Sequence, residues 1–218
     1  MLELVTIPIS FFEVTFDYVH PDLRLLGDRA TIVQGIFEAL KPWSPTIDDI
    51  EVRTAGKVSE QGVSFKLPVK RITFVFGPSH CTFSRDGVDW ISAEETIGIL
   101  DTFVSSFTLL SGVELANKKT TIGLHIQPKT APFIKILSPF VAPQLAELEA
   151  DPVKTMATVA KWEKRRITLD GSASLANGLF LKLEREFGSS GTYAEMADRI
   201  KNDEEELFKI LGIEEDLG

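Results

Sequence analysis

The stretch from Ile50 to Ile91 constrains the fold most. Within it, apolar and polar residues alternate in short runs: Ile72, Phe74 and Phe76 against Arg71, Thr73 and Val75, then Cys81 to Arg85. A period of two sends successive side chains to opposite faces, which is the pattern of a strand. Turn signals separate the runs at Gln61-Gly62, Gly77-Pro78 and Asp86-Gly87. Strands joined by such short turns pair antiparallel, so the stretch is expected to form a meander, with Glu51-Val52-Arg53 opening its first strand.

Helices are expected around this meander. Ser92 with Glu95, and Thr192 with Glu195, have the spacing of capping boxes, in which each side chain reaches an orphan amide of the first helical turn. After Ser92, the residues Ile97, Leu100, Phe103, Val104, Phe107 and Leu110 recur at helical spacing, and Gly112 is placed to end the helix in a left-handed conformation. After Thr192 come Tyr193, Met196, Ile200, Leu207 and Leu211. The acidic run Asp203–Glu206 interrupts that stripe and predicts a stretch of helix standing in solvent. A further helix, capped by Asp28, carries Ile32, Val33, Ile36, Phe37 and Leu40 and is stopped by Pro42.

The remaining segments read as strands. Val14, Phe16 and Tyr18 alternate with Glu13, Thr15 and Asp17, and Pro8 is expected to break the strand before them. Residues 120–127 place Ile122, Leu124 and Ile126 on one face and His125 on the other. Pro132, Pro139 and Pro143 forbid one long helix, leaving a short one at about 143–149. Strands follow at 155–162, 166–169 and 179–187, with the loop 170–178 between the last two. The predicted class is α+β: antiparallel meander sheets with flanking helices. Strand, helix, several strands, helix occurs twice, which suggests a pseudo-duplicated β-α-β(3–4)-α plan with halves 1–113 and 114–218 packed as one domain.

The run Cys81–Trp90, the helix Ser92–Gly112 and the strand Thr121–His125 resemble a sporadically distributed bacterial family of uncharacterised α+β proteins. The resemblance covers the first 125 residues and the closing helix. It rests on hydrophobic patterns and implies no activity.

Charge and motif content narrow the function. The formal net charge of −9 works against binding nucleic acid, whose affinity comes from Lys and Arg on phosphates. The lone cysteine, Cys81, cannot form an internal disulfide. His80 and Cys81 are neighbours that a strand would turn apart, so no catalytic dyad is expected there. His20, His80 and His125 lack metal-ligand spacing, and no phosphate loop or nucleophile elbow is present. No catalytic residue, metal or cofactor is therefore predicted. The stretch before Phe12 carries Glu3 and no basic residue and reads as a strand, not a leader. Uncharged runs such as Thr102–Val113 are too short to span a membrane. A cytoplasmic protein is expected.

One local cluster departs from the acidic average: Trp162, Lys164, Arg165 and Arg166. Straight alternation would set Lys164 and Arg166 on one face with Trp162, a surface for phosphate, an acidic peptide or stacked single-stranded nucleic acid. Cationic residues also guard sheet edges, which needs no ligand. The Gly191-Thr192 helix start offers free amides to an anion, as helix starts do in general. Phe11, Phe12, Phe65, Phe74, Phe76 and Phe83 suggest strands apolar on both faces, more than the chain's own helices can cover. That points to a non-enzymatic binding or protein-interaction protein, self-associating or taking an apolar partner on a sheet face. The alternative is an enzyme whose site is assembled in a cleft between the halves.

Overall fold

The computed structural model describes residues 2–27, 29–54, 56–87, 93–140, 158–162, 164–189 and 191–216. The expected caps Asp28 and Ser92, the helix at 143–149 and the strand residues 155–157 lie outside them. In chain order the elements are β1 (Glu3–Tyr18), α1 (Arg24–Gly27), α2 (Arg29–Leu40), β2 (Ile50–Arg53), β3 (Gly62–Leu67), β4 (Ile72–Phe76), β5 (His80–Asp86) and α3 (Ala93–Ser111). Then come β6 (Leu115–Pro128), α4 (Phe133–Leu137), β7 (Thr158–Trp162), β8 (Arg165–Gly171), β9 (Leu179–Gly188), α5 (Tyr193–Leu211) and β10 (Ile213–Glu215). The fold is α+β and mostly antiparallel. Among the described residues, no helix is long and apolar enough to cross a membrane.

Two compact units divide the chain. The larger comprises Phe12–Thr120 and Glu186–Ala197; the smaller comprises Met1–Phe11, Thr121–Arg185 and Asp198–Gly218. They do not coincide with the sequence halves, because β1, β6, β9 and α5 each begin in one unit and end in the other.

In the larger unit the strands run β2-β3-β4-β5-β1-β6. Antiparallel register sets Phe65 against Phe74 and Phe74 against Phe83, so a row of rings crosses β3, β4 and β5 on one face. Helix α3 covers that row: Phe103 stacks on Phe74 at 4.0 Å between centroids, and Phe107 lies 5.1 Å from Phe76. Helix α2 packs on α3 so closely that a Cβ on Gly35 would meet the Leu110 side chain. The paired positions on the opposite face hold Ser64 against Val75, Thr73 against Ser84, and Lys66 against Thr73. The expectation that these strands are apolar on both faces is corrected for the meander. Phe12, Phe65, Phe74, Phe76 and Phe83 are all buried, and register concentrates the meander's rings on the face that the chain's own helices shield.

The turns are made partly as expected. Gly77 donates its amide to the His80 carbonyl at 3.0 Å, closing the β4–β5 turn. Gly112 ends α3 at φ 69°, its amide on the Thr108 carbonyl. Asp86-Gly87 ends β5, and the residues directly after it lie outside the described ones; among the described residues the next element is α3. The β3–β4 turn is made instead by Pro68–Lys70, with Arg71 at φ 53°.

Pro8 does not interrupt β1, which runs unbroken for 16 residues. Its buried positions change parity, from Val5 to Phe12, Val14, Phe16 and Tyr18, so the strand changes its inward set between Val5 and Phe12. A proline is tolerated where the regular ladder is locally disturbed.

In the smaller unit the order is β1-β6-β9-β8-β7, and β10 pairs parallel with β1, Glu3 opposite Ile213. Ile167 faces Leu183 and Leu169 faces Leu181 across β8 and β9, and all four are buried with Ile122, Leu124 and Ile126 of β6. The Glu3 carboxylate accepts from the Thr130 amide at 2.7 Å, the Ala131 amide at 3.0 Å and the Thr130 hydroxyl at 2.6 Å. One pairing rule holds in both sequence halves: the opening strand lies beside the last strand of the following meander, β1 by β5 and β6 by β9.

Candidate functional site

Strand β2 terminates the strand order of the larger unit, and β3 is its strand partner among the described residues. The turn Ile47–Asp49 delivers the chain to it, locked by Thr46, whose amide and hydroxyl both donate to the Asp49 carboxylate. Register sets Ile50 against Phe65 and Val52 against Val63. Directly paired residues share a face, so Ile50 and Val52 continue the core face of the sheet. Val63 is 1% exposed, but Val52 is 48% exposed at the rim. On either side of β2, Ile47 is 80% and Val58 49% exposed.

The other face of β2 is charged. Arg53 Nε donates to Glu51 at 2.8 Å, and Lys66 lies 3.8 Å from the same carboxylate. The Arg53 hydrogen bond, aided by its charge, holds the Glu51 carboxyl below the usual range. Arg29 makes a long 3.5 Å contact to the Arg53 carbonyl. The edge thus combines an apolar rim on one face with an opposite-charge pair on the other.

The residues singled out in the sequence lie at the β7–β8 hairpin. Register opposes position 162 to Arg165 and position 161 to Arg166, so the chain reverses between the two strands. Straight alternation from Trp162 to Arg166 therefore does not describe this segment, because the reversal changes which positions pair. Lys164 is exposed in the turn. Arg166 lies 3.6 Å from Glu184, which Lys182 also approaches at 3.2 Å. Arg165 stands opposite Arg185 on β9. Between these two guanidiniums comes Asp203 of α5, 3.0 Å from Arg165 and 2.5 Å from Arg185, while Glu206 binds Arg165 at 2.8 Å. Asp203 is buried. The acidic run expected in solvent thus supplies an internal anchor, because two cations on the sheet draw its first carboxylate inward.

The start of α5 is occupied by the chain's own groups. The Thr192 amide donates to Glu195 at 2.8 Å and the Glu195 amide to the Thr192 hydroxyl at 3.2 Å, the expected capping box. Lys118 of β6, buried, donates to the Gly191 carbonyl at 2.6 Å and stands 5.3 Å from the Tyr193 ring centre. Burial lowers its proton affinity, which nearby Glu195 partly restores. Cys81 is fully buried and burial pushes its thiol pKa up, whereas His80 is exposed and bonds Ser79. His125 meets Ser172 at 2.8 Å, and the Ser172 hydroxyl also accepts the Ser174 and Leu175 amides. Among the described residues, no group of three or more His, Cys, Asp and Glu side chains converges as a metal site would.

Sequence reading recognised β2 as a strand but not as an edge. The available signal was the pair of opposite charges flanking Val52, a pattern that natural edge strands use to limit indiscriminate pairing. The chain matches no protein-family model, and no curated protein is significantly similar to it.

Proposed function

We propose that this protein is a non-enzymatic protein-interaction module that takes its partner by strand addition at β2. The observation carrying this reading is Val52, on the core face of the sheet and half exposed although it stands in register with fully buried Val63. Strand addition uses backbone groups for affinity and alternate side chains for specificity, and β2 is the terminal strand of its order with side chains of opposite character on its two faces. A photo-crosslinking residue placed at Ile47 in cells tests the reading, with Val69 as control because it is at least as accessible but lies in the β3–β4 turn. Protein adducts from position 47 well above those from position 69 are expected. Equal yields from both positions would sink the proposal.

The enzymatic alternative would have to use groups such as the Lys118–Tyr193 corner. There the amine is already engaged with the Gly191 carbonyl, which favours a role in fixing the start of α5.

A further inference from the structure

Resting on the reading of β2 as a docking edge, we infer that the strand docking there is β2 of a second copy, paired antiparallel about a twofold axis through Val52. A twofold interface must be self-complementary: if one residue meets another, the reverse contact occurs as well. The sequence Ile50-Glu51-Val52-Arg53-Thr54 meets that condition in one register. Centred on Val52, antiparallel pairing sets Glu51 of each copy against Arg53 of the other. It also sets Val52 against Val52, and Ile50 against Thr54.

Neighbouring registers fail. Centring on Glu51 or on Arg53 opposes like charges, and centring between Glu51 and Val52 opposes each charge to an apolar side chain. Parallel alignment in register puts Glu51 beside Glu51. Directly opposed unlike charges stabilise a strand pair and like charges destabilise it, so charge alone selects the Val52-centred arrangement. Faces agree as well: Val52 meets its counterpart on the side that carries the buried row behind Val63 and Phe65, so the apolar face passes from one copy into the next. Exposed Ile47 and Val58 flank the seam. The Glu51–Arg53 pair within one chain is solvent-exposed, so its members are available to exchange for the two cross-copy pairs.

The test is sedimentation velocity of the full chain over a range of concentrations. The wild type is expected to shift from the 24.2 kDa monomer toward twice that mass. By symmetry each single reversal, Glu51→Arg or Arg53→Glu, strikes both charge pairs and is expected to weaken the dimer about tenfold. The double reversal restores complementarity and is expected to restore the wild-type Kd. Circular dichroism establishes that each variant is folded. A wild type that stays monomeric, singles that associate like wild type, or a double reversal without recovery would each overturn the inference. A monomeric wild type with position-47 adducts to another protein would overturn this inference alone. A monomer without adducts would remove the docking reading too.

Discussion

Arg165 and Arg185 oppose each other across β8 and β9, a placement that repels unless a counter-charge arrives. Asp203 is that counter-charge, at 5% exposure. Removing one partner of a buried ionic group leaves the others unpaired, so Asp203→Ala is expected to cost about 3–5 kcal/mol in urea unfolding. Glu206, more than half exposed, binds the same Arg165 from outside, and Glu206→Ala is expected to cost about 0–1 kcal/mol. A comparable loss from both would refute the assignment of Asp203 as the anchor. Gly123 shows a steric version of the same dependence: a Cβ there would fall 2.0 Å from the Phe11 ring. Gly123→Ala is expected to destabilise by about 1–3 kcal/mol, read as a lowered Tm, because the ring must leave its position. None of this was legible in the sequence. The Asp203 partners lie 18 and 38 positions away, and only the folded sheet makes Arg165 and Arg185 neighbours.

Elements whose determinants are local were the readable ones. The Thr192–Glu195 box, the glycine end of α3 and the alternation in β3, β4 and β5 all lie within a few residues of what they specify. Thr192→Ala should therefore cost about 1 kcal/mol, measurable by urea denaturation. Pro8 misled because a strand can absorb a proline where its inward set changes. A pH dependence of stability is expected from His125 of β6. Burial lowers the His125 pKa below its unfolded value of about 6.5, so the unfolded chain binds the proton more readily. The stabilising contribution is complete above about pH 6.5 and is lost as pH falls from there through the lowered folded value. The urea midpoint should drop between about pH 7.5 and about pH 5, and His125→Gln should flatten that slope. An unchanged slope in the variant would assign the effect to other groups.

At the scale of the whole chain, the class and the meander were readable from periodicity, while the partition into compact units was not. Periodicity reports which residues face inward, not which strand is long enough to serve two cores. The larger unit needs Glu186–Ala197 from far along the sequence, and Tyr193 from that segment meets Phe16 edge-on at 5.7 Å. A fragment of residues 1–113 lacks that ring, Lys118 and the start of β6. It is expected to show no cooperative urea transition and poorly dispersed amide resonances. A cooperative transition in the fragment would mean that the first half folds by itself. The site was half legible for a similar reason: the charges of Glu51 and Arg53 are in the sequence, but their place at a rim emerges only from strand order.

The parallel pairing of Glu3–Val5 with Ile213–Glu215 sets a timetable for biosynthesis. β1 is translated before its partner β10, and until residue 213 has been made a nascent chain holds Leu2 and Leu4 beside an unfilled ladder. Stalled or prematurely terminated products would share that open seam, making them the species for chaperones to hold and proteases to clear.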